Sequence, residues 1–238
     1  MQETDKVRIL NFLIGKENIN DFESWVYKDP DLESRIGGEL YFELIGIDYQ
    51  DKFVLDNLNR IIIDNYVSHT EFEKFKYKSI LQDSGWYKNR QIEINLSRIQ
   101  MTPEIKNAVT IIEEFGGLKF ISTEKSDNWT LTLLEFLDSP GEIQNMKEYG
   151  LNKNLVCFAM AHNDHINLFV DENNKYYQLD NVVSENLYQY RGLNFEHMMR
   201  QLLQLEKDDN FHKIENPQIE ILRNKRKKIW EIFKKNIS

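Results

Sequence analysis

The chain predicts an α+β fold: an all-helical N-terminal segment followed by a mostly antiparallel sheet flanked by helices. Three observations carry this. Apolar residues recur at helical spacing through the first 80 of 238 residues. Apolar runs of strand length then crowd between Leu118 and Asp180. Helices and strands are grouped rather than alternating, which sets aside a βαβ design with a parallel sheet.

The N-terminal segment reads as four or five short helices. Asn20 followed by Glu23 resembles a capping box, opening a helix with Phe22, Trp25 and Val26 on one face. Pro30 stops it, because proline lacks the amide that a helix interior requires. A second helix starts near Asp31 and breaks at Gly37-Gly38. A third, ELYFELIGIDYQ, places Leu40, Leu44 and Ile47 on one side. A fourth spans about Lys52 to Val67, and a fifth begins at Thr70 with Phe72, Phe75 and Ile80 apolar.

Beyond Ser84 the pattern changes. Gln91–Leu96 alternates with period two and predicts a strand. Thr102 and Pro103 suit the cap and first turn of a helix that runs to Phe115. Gly116 is expected to end it in the left-handed conformation. Strands are predicted at LKFIS from Leu118, WTLTLLEF from Trp129, LVCFAMA from Leu155, INLFVD from Ile166 and KYYQLD from Lys175. The polar links HNDH (162–165) and ENN (172–174) are short enough for hairpin turns, so the last three strands form a meander. A helix resumes at Asn194, with Phe195, Met198, Met199, Leu202 and Leu203 on its buried side. The expected division is residues 1–80 as a helical domain, 81–205 as the α+β domain and 206–238 as a C-terminal helical extension.

Composition narrows the function. No apolar run reaches the roughly eighteen residues of a membrane span, and MQETDKVRIL lacks the basic start and apolar core of a secretion signal. A cytoplasmic protein without membrane contact is expected. One cysteine, Cys157, excludes an internal disulfide framework and reads as a small buried hydrophobe. The formal charge is −9, from 39 acids and 30 bases, which repels nucleic acid and favours a basic partner. Residues 206–238 are the exception, with 6 acids and 9 bases. Their RNKRKK run has a nucleic-acid reading. The solvated face of a final helix, apolar at Ile219, Leu222, Ile229, Trp230 and Phe233, explains it more simply.

No nucleophile elbow, zinc-protease motif, phosphate loop or dinucleotide fingerprint occurs. His162, Asp164 and His165 have a spacing that can chelate a metal. They flank a turn tip with no third strong ligand nearby, so exposed turn residues describe them better. The paired acids Glu113-Glu114 and Asp208-Asp209 point in different directions along a helix and read as solvated. Trp86 and Arg90, four residues apart in GWYKNR, admit a cation–π or anchoring role. The plainer reading has Trp86 filling a core edge and Arg90 pairing with an acid. Gly116-Gly117, in IIEEFGGLKF, reads as a helix stop with close backbone packing. No catalytic residue, metal ligand or cofactor site is assigned, and the chain is expected not to be an enzyme.

In order, GWYKNR, AVTIIEEFGGLKF from Ala108, WTLTLLEFLDSP, a meander ending at YQLD and RGLNFEHMMRQLL from Arg191 resemble the SUKH superfamily of bacterial toxin-immunity proteins. The third subgroup is the nearest likeness, where a "GW…GR" opening precedes a helix ending in "FGGL". Asn89 stands where that subgroup commonly has glycine. The likeness covers about residues 81–205, and its motif residues here are Trp86, Arg90, Gly116 and Gly117, mainly structural. The helical N-terminal segment resembles a leader found on small bacterial immunity proteins.

The resemblance implies an α+β immunity protein that binds a cognate polymorphic toxin, often a nuclease or a nucleic-acid deaminase, and blocks it. The alternative is a regulatory or scaffolding module of the same fold that binds a cellular protein with no toxin involved. For either partner the candidate surface is the sheet face and its turns, at Asn163, Asp164, Glu172 and Asn173, which offer acids and amides without an obvious folding duty.

Overall fold

A computed structural model describes the chain except residues 97–98, 122–129, 136, 138–142, 163–164, 181–185, 193, 204, 206–210 and 215–238. It divides into two compact units, Met1–Ser79 and Ile80–Ser238, with the division inside the helix His69–Asp83.

The first unit is helical: α1 (Glu3–Leu13), α2 (Ile19–Lys28), α3 (Leu32–Ile36), α4 (Gly38–Ile45), α5 (Val54–Asn65) and the start of α6 (His69–Asp83). The sequence reading omitted α1, whose Ile9, Leu10, Phe12 and Leu13 are all buried. Phe12 stacks on Phe22 with ring centroids 4.0 Å apart, and Leu40, Leu44, Leu58 and Ile62 complete the centre of this core. Asn18, rather than Asn20, caps α2. Its side chain accepts from the Asp21 amide at 2.9 Å, because Asn18 is the last extended residue before the helix. Gly37, at φ +93°, turns the chain between α3 and α4, a backbone that glycine adopts without strain. Arg35 forks between Asp5 (3.0 Å) and Asp29 (2.6 Å), joining three segments of the unit. Its guanidinium holds the Asp29 carboxyl below the usual carboxylate range.

The second unit is an antiparallel sheet with helices. Its strands are β1 (Lys119–Ile121), β2 (Thr130–Leu133), β3 (Ile143–Asn145), β4 (Asn154–Ala161), β5 (Ile166–Val170), β6 (Tyr176–Asp180), β7 (Asn186–Tyr190) and β8 (Phe211–Lys213). The order is β1-β2-β4-β5-β6-β7-β8, with β3 also on β4. Strand β4 is long enough to hold two neighbours on one edge: β3 along Asn154–Val156 and β2 along Ala159–Ala161. A bulge at Phe158 interrupts the β4–β5 register between Cys157 and Ala159.

Helix α8 (Phe195–Leu202) lies on one face of the sheet, where Phe195 meets Phe158 and Tyr176 at 6.0 and 6.1 Å. Phe195 also meets Phe115, the last residue of α7 (Pro103–Phe115), at 4.7 Å. On the other face, Leu155, Cys157, Phe169, Tyr177, Leu179 and Leu187 form a second buried cluster. Thus the α+β expectation holds, and each face of the sheet carries buried aromatic or apolar residues at its centre.

Several details depart from the sequence reading. Gln91–Leu96 is not a strand. Its alternation of exposed and half-buried residues is present, but Ile92 donates its amide to the Glu113 carbonyl at 2.9 Å instead of joining a ladder. Strands β3, β7 and β8 were not anticipated, and β7 and β8 extend the meander to five strands, β4 to β8. Phe211–Lys213, expected within a helical extension, forms β8 against Tyr188–Tyr190. The expected helix over Ile219–Phe233 with its basic run, and the acid pair Asp208-Asp209, lie outside the described residues.

Candidate functional site

The motif residues of the second unit converge on the C-terminal end of α7. After α6 the chain turns at Gly85 (φ +97°), and the Trp86 amide returns to the Leu81 carbonyl at 2.9 Å. A second turn follows, in which the Arg90 amide donates to the Tyr87 carbonyl at 3.1 Å. Asn89 occupies its third position at φ +63°. Turns of this kind favour glycine there, and asparagine is the residue that replaces it most readily.

These two turns aim Trp86 and Arg90 at α7. The guanidinium of Arg90 donates to the Glu114 carbonyl at 2.9 Å and to the Gly116 carbonyl at 2.6 Å. A helix leaves its last carbonyls without intrahelical donors, and a cation there also meets the negative end of the helix dipole. The Trp86 indole N–H donates to the Glu114 carboxylate at 3.3 Å. So the plainer reading is corrected at Arg90, while Trp86 is half-buried. Trp86 takes the acid, and Arg90 takes backbone carbonyls. Glu113 and Glu114 are both half-buried rather than solvated, since α7 ends against this turn.

The left-handed conformation expected at Gly116 falls instead on the second glycine of the pair. Gly116 is at φ −55°, ψ 142°, an ordinary extended backbone. Its constraint is space: a Cβ would meet the carbonyl oxygens of Ile112 at 2.5 Å and Leu134 at 2.6 Å. Gly117 is the left-handed residue, at φ +76°. It donates its amide to Leu133 at 3.0 Å as the chain leaves α7 for β1.

The β5–β6 turn is organised from beneath by Asp171, which sequence reasoning passed over as a strand end. Its carboxylate is fully buried. One oxygen accepts from the Asn173 and Lys175 amides, both at 2.9 Å. The other accepts from Lys153 Nζ at 2.7 Å and the Tyr177 hydroxyl at 2.9 Å. Burial pushes the carboxyl up, but these donors together outweigh it and hold Asp171 below the usual carboxylate range. Burial, with the neighbouring Asp171 charge, pushes Tyr177 up to about 12. The local signal was the run DENN, because an aspartate that accepts from amides two and four residues on nucleates a turn.

Glu172 and Asn173 sit exposed at the tip, joined by a 3.0 Å bond from the Asn173 amide group to the Glu172 carboxylate. Asn163 and Asp164 lie outside the described residues. Their flanks are placed: His162 is at φ +51° with its amide on the Thr130 carbonyl at 2.9 Å, and His165 is exposed. Among the described residues no three of His, Cys, Asp and Glu gather closely enough to hold a metal ion. No described helix is long and apolar enough to cross a membrane.

Residues 74–204, more than half of the chain, match the model of the SUKH-3 immunity protein family. The chain belongs to the SUKH-3 immunity protein family. No curated protein and no solved structure matches it. The SUKH-3 stretch contains Trp86, Arg90, Gly116 and Gly117, and also Asp171 with its donors. Within it, the GW turn and the FGGL helix end are one structural assembly. Most of the helical unit, α1 to α5 and the first turn of α6, precedes the SUKH-3 match.

Proposed function

We propose that this chain neutralises a cognate polymorphic toxin by stoichiometric binding in the cytoplasm of the producing cell. Membership of the SUKH-3 immunity family is the observation that carries the reading. The toxin is proposed to be a nuclease or deaminase domain. A net charge of −9 suits an inhibitor that presents carboxylates to a basic, phosphate-binding cleft.

The chain works by complementary contact and not by catalysis. Two polar networks among the described residues of the second unit support this, since each serves the fold. Arg90 closes a helix, and Asp171 closes a turn. The turn tip at Glu172 and Asn173 is proposed as one point of contact. Its backbone is fixed by Asp171, so little ordering entropy is lost there on binding.

Co-expression with the product of a neighbouring toxin gene tests the reading. The expected outcome is a 1:1 complex on co-purification and rescue of cells that express the toxin. Neither complex nor rescue with any adjacent toxin would remove the proposal.

A further inference from the structure

The helical unit leaves aromatic rings largely exposed. Phe42 on α4 is 62% exposed and Tyr27 at the end of α2 is 53% exposed. The Tyr27 hydroxyl donates to the Ile45 carbonyl at 3.0 Å, which pins its ring beside α4. Ile45 closes α4 one helical turn beyond Phe42, so the Tyr27 hydroxyl is held about one turn along the helix from that ring. Acids frame them. A Cβ on Gly38 would meet Glu33 Oε1 at 3.4 Å and Phe42 Cε2 at 3.8 Å, so carboxylate and ring edge flank the same bare Cα. Glu39 is exposed three residues before Phe42, on the same side of α4.

The surrounding charge is one-sided. Residues 17–64 hold 12 acids and 4 bases. Of those bases, Arg35 is held by Asp5 and Asp29, and Lys52 lies over the Phe53 ring at 4.7 Å. This unit already places cations on rings, with Arg8 over Trp25 at 4.8 Å as the second instance.

We propose that Phe42 and Tyr27, with Glu33 and Glu39, form a docking site for an arginine- or lysine-bearing segment of the toxin. The aliphatic stem lies on the aromatic rings, and the cationic head is received by the two carboxylates. The site rests on the toxin-binding reading above, but it lies outside the stretch that defines the family.

The test uses the full chain and the toxin domain encoded beside its gene. Phe42→Ala should weaken binding about tenfold, the loss typical of an interface anchor. Phe42→Trp should retain affinity. Glu33→Gln with Glu39→Gln should slow association several-fold at low salt and flatten its dependence on ionic strength. Ile121→Ala, a matched truncation of an exposed apolar residue in the sheet unit, should bind as wild type. Circular dichroism confirms that each variant folds. If Phe42→Ala and the double glutamine variant both bind like wild type, the docking site is wrong and the toxin reading stands. If the wild-type chain binds no adjacent toxin, both fail together.

Discussion

Arg90 and Gly116 are joined across 26 residues of sequence by a 2.6 Å bond from guanidinium to carbonyl. A second bond, to Glu114, makes the same side chain the terminus of α7. Charge alone does not reproduce this fork, because an ammonium group cannot address two carbonyls from one plane. Arg90→Lys should therefore cost about 1 kcal/mol and Arg90→Met about 2 kcal/mol of stability, both discounted for partial exposure. Urea unfolding measures this. A lysine variant as stable as wild type would show that the positive charge suffices.

The neighbouring turn separates two kinds of constraint. At Asn89 the limit is conformational, so Asn89→Gly should be nearly neutral while Asn89→Ala loses about 1 kcal/mol. At Gly116 the limit is steric, with backbone oxygens 2.5 and 2.6 Å from any added Cβ. Gly116→Ala should lose at least about 2 kcal/mol, since neither oxygen can retreat without moving α7 or the end of β2. Thermal melts of the three variants give the ranking. Equal melting points for Asn89→Ala and Gly116→Ala would contradict it.

Asp171 predicts an acid-side signature. Its carboxyl is held below its ordinary value, so its contribution is present above the unfolded value of about 3.9 and is lost as pH falls through the lower folded value. Lys153 behaves oppositely. Burial pushes it down, Asp171 and Tyr177 raise it by more, and its contribution is complete below about 10.4 and lost only as pH rises past the folded value. Asp171→Asn should cost about 3 kcal/mol at pH 7, where it leaves Lys153 facing an amide. It should also flatten the fall in stability below about pH 4. Urea midpoints at several pH values test this, and parallel acid slopes for wild type and variant would exclude the carboxylate as their source.

Capture of the proposed toxin should be steered by charge. With a net charge of −9 against a basic domain, the association rate should fall steeply as salt rises from about 50 to 300 mM, while dissociation changes little. Stopped-flow mixing reads both constants. An association rate indifferent to salt would mean that the acidic balance plays no part in recognition.

The fold class was legible because hydrophobic period is written locally. Leu40 and Leu44 mark α4, and the run Leu155–Ala161 marks β4, without reference to anything distant. Failures arose where a partner elsewhere decided the outcome. Gln91–Leu96 alternates as a strand does, yet its amide at Ile92 is taken by α7. Strand β8 is three residues long and exists through pairing with β7, so FHK carries no period to detect. The motif assembly was readable as residues but not as bonds. Nothing in GWYKNR says that tryptophan meets the glutamate and arginine meets the carbonyls, which depends on where α7 ends. Asp171 was overlooked because a carboxylate at a strand end is usually solvated, and only the fold brings Lys153 and Tyr177 to it.

Cys157 lends the molecule a built-in clock. The chain has one thiol. It is buried beside the bulge of β4, within 3.5 Å of the Ala159 carbonyl, and β4 lies inside the sheet with neighbours on both edges. An alkylating reagent reaches that sulfur only when the apolar cluster on its face of the sheet opens. Its labelling half-time therefore times the opening of the cluster around it, and a bound toxin that clasps the sheet would lengthen that time.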